Sequence, residues 1–218
     1  LGANYTPQKA MLQLSFINSL IDEATILHNK VKDQANTTGI AINNRQIIFE
    51  PVKPLCTKII NTMGSTDVNP KTIEDAKTIN AKIQGTRIKK IVLKENEEVN
   101  DKTVSVSRQS YDSIYENFRS LRDLAQQDGG YNPNEVDVEI VTLTDVENQM
   151  LAANENVENE NIILGNKRVD RDKRFYKDSD GLLEVARAFK KYIRGKYGVT
   201  SPQFAQISQI QFKDLGIK

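Results

Sequence analysis

The chain has 218 residues, of which 38% are hydrophobic and 27% charged, and its formal net charge is +1. This length suits one elongated domain or two small ones. The near-neutral charge gives no reason to expect nucleic acid or a membrane as a partner of the whole chain. No run of about 18 apolar residues occurs, so the sequence predicts no transmembrane helix.

Cys56 is the only cysteine, which excludes an intrachain disulfide and a zinc site built from several thiolates. It lies in an apolar run with Val52, Leu55 and Ile59, and this favours a buried, unreactive thiol. The low cysteine content favours a reducing, cytoplasmic compartment. No signal peptide is visible, but the chain begins with Leu1 rather than Met, so export stays open.

Residues 7–32 form the first predicted helix. Its apolar residues recur every three or four positions, which is the pattern of one helix face, and further apolar residues widen this face enough to favour a bundle over a two-stranded coiled coil. The residues expected to face inward are Ala10, Leu14, Ile17, Ile21, Ala24, His28 and Val31.

Three elements complete the predicted N-terminal helical half, residues 1–86. Residues 33–45 (DQANTTGIAINNR) are expected to form a turn. A second helix covers 48–63, with Pro51 and Pro54 in its first turn or at a kink. A third helix covers 70–84 and ends at Gly85.

Residues 86–107 depart from the helical pattern. Two strand-like runs flank a polar, acidic stretch, so this segment predicts either a small β-hairpin or an extended linker. We place the linker or hairpin at 87–106, between the N-terminal half and a C-terminal helical half of residues 107–218. The alternative is that both halves form one continuous bundle.

The C-terminal half is expected to contain three long helices, covering 108–127, 133–154 and 180–196. The fifth predicted helix begins with an alternating, strand-like run at 136–140, but its later apolar spacing favours a helix. Residues 155–178 are expected to form a long polar connection. A short helix or tail follows Pro202.

An N-cap residue followed by proline recurs along the chain, at Thr6-Pro7, Asn69-Pro70, Asn132-Pro133 and Ser201-Pro202, with intervals of 63, 63 and 69 residues. Such a pair favours the start of a helix, because the cap accepts a bond from a free backbone amide and proline has no amide to leave unpaired. The recurrence predicts an all-α antiparallel helix bundle built from repeated two-helix units. The alternative is a chance recurrence of helix caps.

Several motifs resemble those of a group of uncharacterised bacterial proteins. These motifs are SVSRQSYD at 105–112, NF at 117–118, YNPNE at 131–135, and the segment from GL at 181–182 to YGVTSPQ at 197–203. The resemblance covers most of the chain. It implies an all-helical protein of about this length and brings no assigned activity, catalytic residue or binding residue.

No motif predicts catalysis, a cofactor or a metal site. His28 is the only histidine, and the residue three positions before it is Thr25, so the Glu-x-x-His pair of a di-iron bundle is absent. A partly buried, hydrogen-bonded histidine is the favoured interpretation of His28. An enzyme that uses acidic residues with a divalent metal is the weakest of three hypotheses, and we expect the protein not to be an enzyme.

The net charge conceals a segregated pattern. Residues 131–166 contain eight acidic and no basic residues, whereas 167–196 contain eleven basic and five acidic ones. The favoured interpretation is that the acidic fifth helix pairs with the basic sixth helix. The alternative is an anion- or nucleic-acid-binding face, interleaved with Tyr192 and Tyr197, and formed by Arg187, Lys190, Lys191, Arg194 and Lys196.

The sequence therefore supports two main hypotheses about function. The first is a non-catalytic structural or protein-interaction module, because packed helices offer long faces and grooves to a protein partner or to a second copy. The second is a nucleic-acid-associated protein that uses the basic face of the last long helix.

Overall fold

Seven α-helices make up the fold in the computed structural model, which describes residues 4–86 and 109–211. No strand occurs in this part of the chain, so the all-α prediction is confirmed. Apart from Thr86, the predicted hairpin or linker lies outside the described residues. The helices are α1 Leu14–Phe49, α2 Val52–Ser65, α3 Pro70–Gln84, α4 Tyr111–Gln127, α5 Ile140–Asp172, α6 Leu182–Tyr197 and α7 Pro202–Ser208.

The two longest helices correct two predictions. α1 runs unbroken through residues 33–45, where a turn was expected, and α5 continues through most of 155–178, where a connection was expected. The polar side chains of this part of α1 adapt to a helix: Thr38 Oγ1 donates to the carbonyl of Gln34, four residues earlier, at 2.9 Å. A single glycine such as Gly39 weakens a helix by only about 1 kcal/mol, which does not end it.

Two of the four predicted proline-led helix starts are confirmed. Pro70 is the first residue of α3, and Asn69 Oδ1 accepts a bond from the amide of Lys71 at 3.0 Å. Pro202 is the first residue of α7, and Ser201 Oγ accepts a bond from the amide of Phe204 at 3.1 Å. The predictions for α2, α3, α4 and α6 are correct to within four residues at each end.

Pro7 and Pro133 do not begin α-helices, which corrects the other two predicted starts. Instead, each precedes a 3₁₀ helix, Ala10–Leu12 or Val136–Val138, and then α1 or α5. In both places a tyrosine donates a hydrogen bond to the carbonyl seven residues later, Tyr5 to Leu12 and Tyr131 to Val138. The local structure that follows these two prolines is therefore the same, at an interval of 126 residues.

The chain forms two compact units. Unit 1 comprises the described residues of Leu1–Gly39 and Asn159–Lys218, and unit 2 those of Ile40–Glu158. These units differ from the predicted halves 1–86 and 107–218, because the continuous helices α1 and α5 each contribute residues to both units.

Unit 2 has a continuous apolar core between α2, α3, α4 and the first part of α5. Phe118, Ile59, Leu143 and Met150 are fully buried in it. The loop after α4 approaches the backbone of the loop after α2 closely: a Cβ atom on Gly130 would lie 2.0 Å from the carbonyl oxygen of Asp67. Glycine is thus required at a position where the sequence indicated only a helix stop.

Unit 1 is held together around α6, which contacts α7, the 3₁₀ helix Ala10–Leu12 and a π-helix, Lys173–Lys177. The ring of Tyr5 packs 5.9 Å from that of Phe189 and 5.3 Å from that of Tyr192. Polar contacts join the first part of α1 to the last part of α5, where Lys167 Nζ donates to Gln34 Oε1 at 2.7 Å. These contacts position one face of α6 beside α1 and α7.

Candidate functional site

An apolar groove in unit 1, which we call the unit 1 groove, is the candidate site. Its volume is about 240 Å³. Side chains of α1, α6 and α7, together with one residue that follows α7, line it: Ile17, Leu20, Ile21, Leu182, Val185, Ala186, Phe189, Lys190, Ile207 and Ile210.

The sequence of α6 explains its side of the groove. Leu182, Val185, Ala186 and Phe189 recur every three or four residues, so their side chains share one helix face. Leu182, Ala186 and Phe189 are only half-buried. The rest of unit 1 thus covers this apolar face of α6 only in part.

Lys190 fixes the position of α7 at the other side of the groove. Its ammonium group donates to the carbonyl of Ser208 at 3.2 Å and to the carbonyl of Ile210. These carbonyls lie at and just beyond the C-terminal end of α7, where a cation is favoured by the helix dipole. The contact keeps Ile207 and Ile210 beside α6.

The groove can bind apolar side chains but offers little other chemistry. Ile21 is 50% exposed and Ile210 is 51% exposed, so substantial apolar surface faces solvent. Among the described residues that line the groove, Lys190 is the only ionisable one, and its ammonium bonds the end of α7. Within 4–86 and 109–211, no group of three or more histidine, cysteine, aspartate and glutamate residues could hold a metal ion.

The predicted inward face of the first helix is only partly correct. Ala24 and Val31 are buried, but Leu14 is 58% exposed and Ile21 borders the groove. His28 is exposed, so the prediction of a partly buried histidine is wrong. The sequence signal for this site is the wide apolar face of the first helix, which the rest of unit 1 covers only in part.

Cys56 is fully buried in the core of unit 2, as predicted. Burial raises the pKa of its thiol from 9.0 to about 12, because the charged thiolate is disfavoured away from water. A thiol in this state is a poor nucleophile at neutral pH.

The predicted basic face of α6 is only partly available. At about 100° per residue, Arg187, Lys190, Lys191 and Arg194 share one side of the helix, and Lys196 lies on the opposite side. Arg187 Nη1 contacts Glu184 Oε1 at 2.7 Å, and Lys190 bonds the end of α7. Lys191 and Arg194 are exposed.

The aromatic residues of this face have structural contacts. Tyr192 packs edge-on against Tyr5, and its hydroxyl accepts a bond from the amide of Thr6 at 3.1 Å. Tyr197 is half-buried. Tyr192 therefore anchors the start of the chain to α6, which is a structural explanation for an aromatic residue among the lysines and arginines.

The acidic residues near the start of α5 have partners other than those predicted. Glu147 accepts a bond from Arg122 Nε of α4 at 2.9 Å, and Asp137 pairs with Lys58 of α2. The hydrogen bond from Lys58 lowers the pKa of the Asp137 carboxyl group. We expected these acidic residues to pair with α6. At both positions the partner instead belongs to unit 2.

Comparisons with known proteins bring no assignment to the groove. No family model, curated protein or solved structure matches the chain. The bacterial origin implied by the resemblance stays a prediction. In the described ranges, no helix has both the length and the hydropathy needed to cross a membrane.

Proposed function

We propose that the chain is a non-catalytic protein-interaction module, and that the unit 1 groove is its binding surface. The observation that carries this proposal is the groove itself, an apolar surface that three helices form and leave open. Grooves of this kind accept apolar anchors from a protein partner. Burying one large apolar side chain stabilises a complex by about 1.5–3 kcal/mol, so a few anchors suffice for binding.

The properties of His28 and Cys56 support a non-catalytic role. Cysteine–histidine catalysis requires the two side chains to meet in a site that substrate can reach. The single cysteine is fully buried, so substrate cannot reach its thiol, and the single histidine is exposed on α1. Neither lines the groove.

We also propose that the module contains an internal repeat with an interval of 126 residues, twice the interval of 63 that the sequence suggested. The repeated segment begins at the tyrosine and proline before each 3₁₀ helix and continues along the long helix. Six identical pairs support it: Tyr5 and Tyr131, Pro7 and Pro133, Val31 and Val157, Gly39 and Gly165, Arg45 and Arg171, and Phe49 and Phe175.

Site-specific photo-crosslinking in the native cell tests the proposed function. A photoreactive phenylalanine analogue placed at Ile207 should give a discrete adduct with a specific protein. The same analogue at Val199, which is exposed in unit 1 but does not line the groove, is the matched control. Ile21→Glu should abolish the adduct, and equal crosslinking from both positions would rule out the groove as the binding surface.

The second candidate function is nucleic-acid association through α6. Its support is that Lys191 and Arg194 are exposed on one side of the helix. Such binding weakens steeply with salt, because it releases counterions from the phosphates. Binding to DNA or RNA at low salt that is lost in Lys191→Glu/Arg194→Glu would support this function. Binding that the double substitution leaves unchanged would remove it.

A further inference from the structure

Among the described residues, unit 2 contains one α-helix for which unit 1 has no counterpart. This helix is α4, which packs against α2 and α3. It also lies along the first part of α5, where Arg122 bonds Glu147, and Asn154 Nδ2 donates to Asp112 Oδ1 at 3.0 Å. α4 therefore covers α2, α3 and the start of a long helix together.

The 126-residue interval relates this covered surface to the groove. Leu143 and Glu147 of α5 correspond to Ile17 and Ile21 of α1, which both line the groove. Leu143 is fully buried and Glu147 is 7% exposed, whereas Ile21 is 50% exposed. The same positions are thus covered in unit 2 and open in unit 1.

The remaining walls of the groove correspond as well. α2 and α6 each follow a long helix, and each contacts the 3₁₀ helix of its own unit. α3 and α7 each follow next and begin at a capped proline, Pro70 or Pro202. The surface that α1, α6 and α7 leave open in unit 1 is therefore the counterpart of the surface that α4 covers in unit 2.

We propose, building on the function proposed above, that the unit 1 groove binds an amphipathic α-helix of a partner protein in the orientation that α4 adopts in unit 2. α4 has 17 residues and presents a face of Ile114, Phe118 and Leu121 to its core. The partner helix is of similar length and presents a comparable apolar face at helical spacing.

The partner helix differs from α4 at one place. Arg119 and Arg122 of α4 both meet Glu147, with Nε of Arg119 3.7 Å from Oε1. The corresponding residue in unit 1 is Ile21, which offers no charge. Arg122 is largely buried, with 15% of its side chain exposed, and beside Ile21 it would lose its Glu147 partner, whereas Arg119 is half-exposed. The partner helix therefore has an apolar residue where α4 has Arg122 and needs no charge where α4 has Arg119.

Two peptides test the inference with the full chain. One has the native sequence of residues 109–129, and the other has the same sequence with Arg119→Leu and Arg122→Leu. Fluorescence anisotropy should show that the dileucine peptide binds the chain at least tenfold more tightly than the native peptide. Ile21→Glu should reverse this order, because it gives unit 1 the carboxylate that Arg119 and Arg122 meet in unit 2.

Two further variants test whether the peptide binds in the groove. Ile207→Glu should weaken binding of the dileucine peptide at least tenfold, and Val199→Glu should leave that affinity unchanged. Circular dichroism of each variant confirms that the fold is retained. Binding that Ile21→Glu and Ile207→Glu leave unaltered overturns the inference.

Three other outcomes also overturn the inference, and they differ in what they mean for the proposed function. A dimer in sedimentation that Ile21→Glu dissociates would make a second copy the occupant of the groove. A photo-crosslinked partner attached through a non-helical segment would leave the proposed function standing while the helix proposal fails. Absence of both the adduct and peptide binding would remove both proposals.

Discussion

The hydroxyl of Tyr131 shows how a single side chain fixes the start of a long helix. It donates a 2.8 Å bond to the carbonyl of Val138, two residues before α5 begins, and the bond is buried. Burial raises the pKa of this hydroxyl from 10.0 to about 12. Tyr5 makes the corresponding bond to Leu12 before α1, where it is only partly buried.

Tyr131→Phe should therefore lower the free energy of unfolding by about 1–3 kcal/mol, because it leaves the buried carbonyl of Val138 without a partner. Tyr5→Phe should have a smaller effect, since water can reach its site. Urea unfolding followed by circular dichroism measures both. Equal effects would contradict the difference in burial.

At this scale the sequence predicts local chemistry well and burial less well. The caps Asn69 and Ser201 and the helix stop at Gly85 were predictable, because each depends on residues within one turn of the chain. The exposure of Ile21 was not predictable. Its spacing marks a helix face, but whether another helix covers that face depends on contacts far away in sequence.

The helices differ from prediction where polar residues were interpreted as breaks. Residues 33–45 and 155–172 belong to α1 and α5, although both are rich in asparagine. Asparagine and threonine favour turns when nothing else acts on the chain, but packing along one side of a long helix overrides this weak preference. The all-helical class was predictable because it depends on apolar periodicity over many residues.

Gly39→Ala distinguishes a continuous helix from the predicted turn. No atom lies within 4 Å of a Cβ at this position, so alanine fits without a clash. In a helix interior the substitution should stabilise the protein by about 0.5–1 kcal/mol. Gly165→Ala, at the corresponding position of α5, should act in the same direction.

Thermal or urea unfolding measures both variants. Gly85→Ala is the contrasting control, because Gly85 has a φ of 76° at the end of α3, where alanine is strained. Destabilisation by Gly39→Ala would indicate a left-handed turn within residues 33–45 and contradict the continuous helix.

At the scale of the whole molecule, buried titratable groups set the response of stability to alkaline pH. Cys56 and Tyr131, both in unit 2, have folded pKa values of about 12, well above the ordinary values of 9.0 and 10.0. As pH rises above 9, the unfolded chain loses these protons first, which favours unfolding. The stability that the protonated groups provide is complete below pH 9 and is lost as pH approaches 12.

Between pH 8 and pH 10.5, the Cys56 thiol should therefore account for a loss of about 2 kcal/mol in the free energy of unfolding. Cys56→Ala is the control, because it lacks the titrating group while other residues titrate as before. Between pH 8 and pH 10.5, the free energy of unfolding of Cys56→Ala in urea should fall by about 2 kcal/mol less than that of the unsubstituted protein. Parallel pH profiles would show that the thiol does not titrate differently in the folded and unfolded states.

The division into two units also has a consequence for synthesis on the ribosome. The first part of α1 belongs to unit 1, and so do α6 and α7, but Ile40–Glu158 is translated between them. At about 5–20 residues per second, the nascent N-terminal segment waits roughly 7–28 s before translation reaches the start of α6 at Leu182. Unit 2 is contiguous in sequence and is complete earlier, so translation itself sets the order in which the two cores can close.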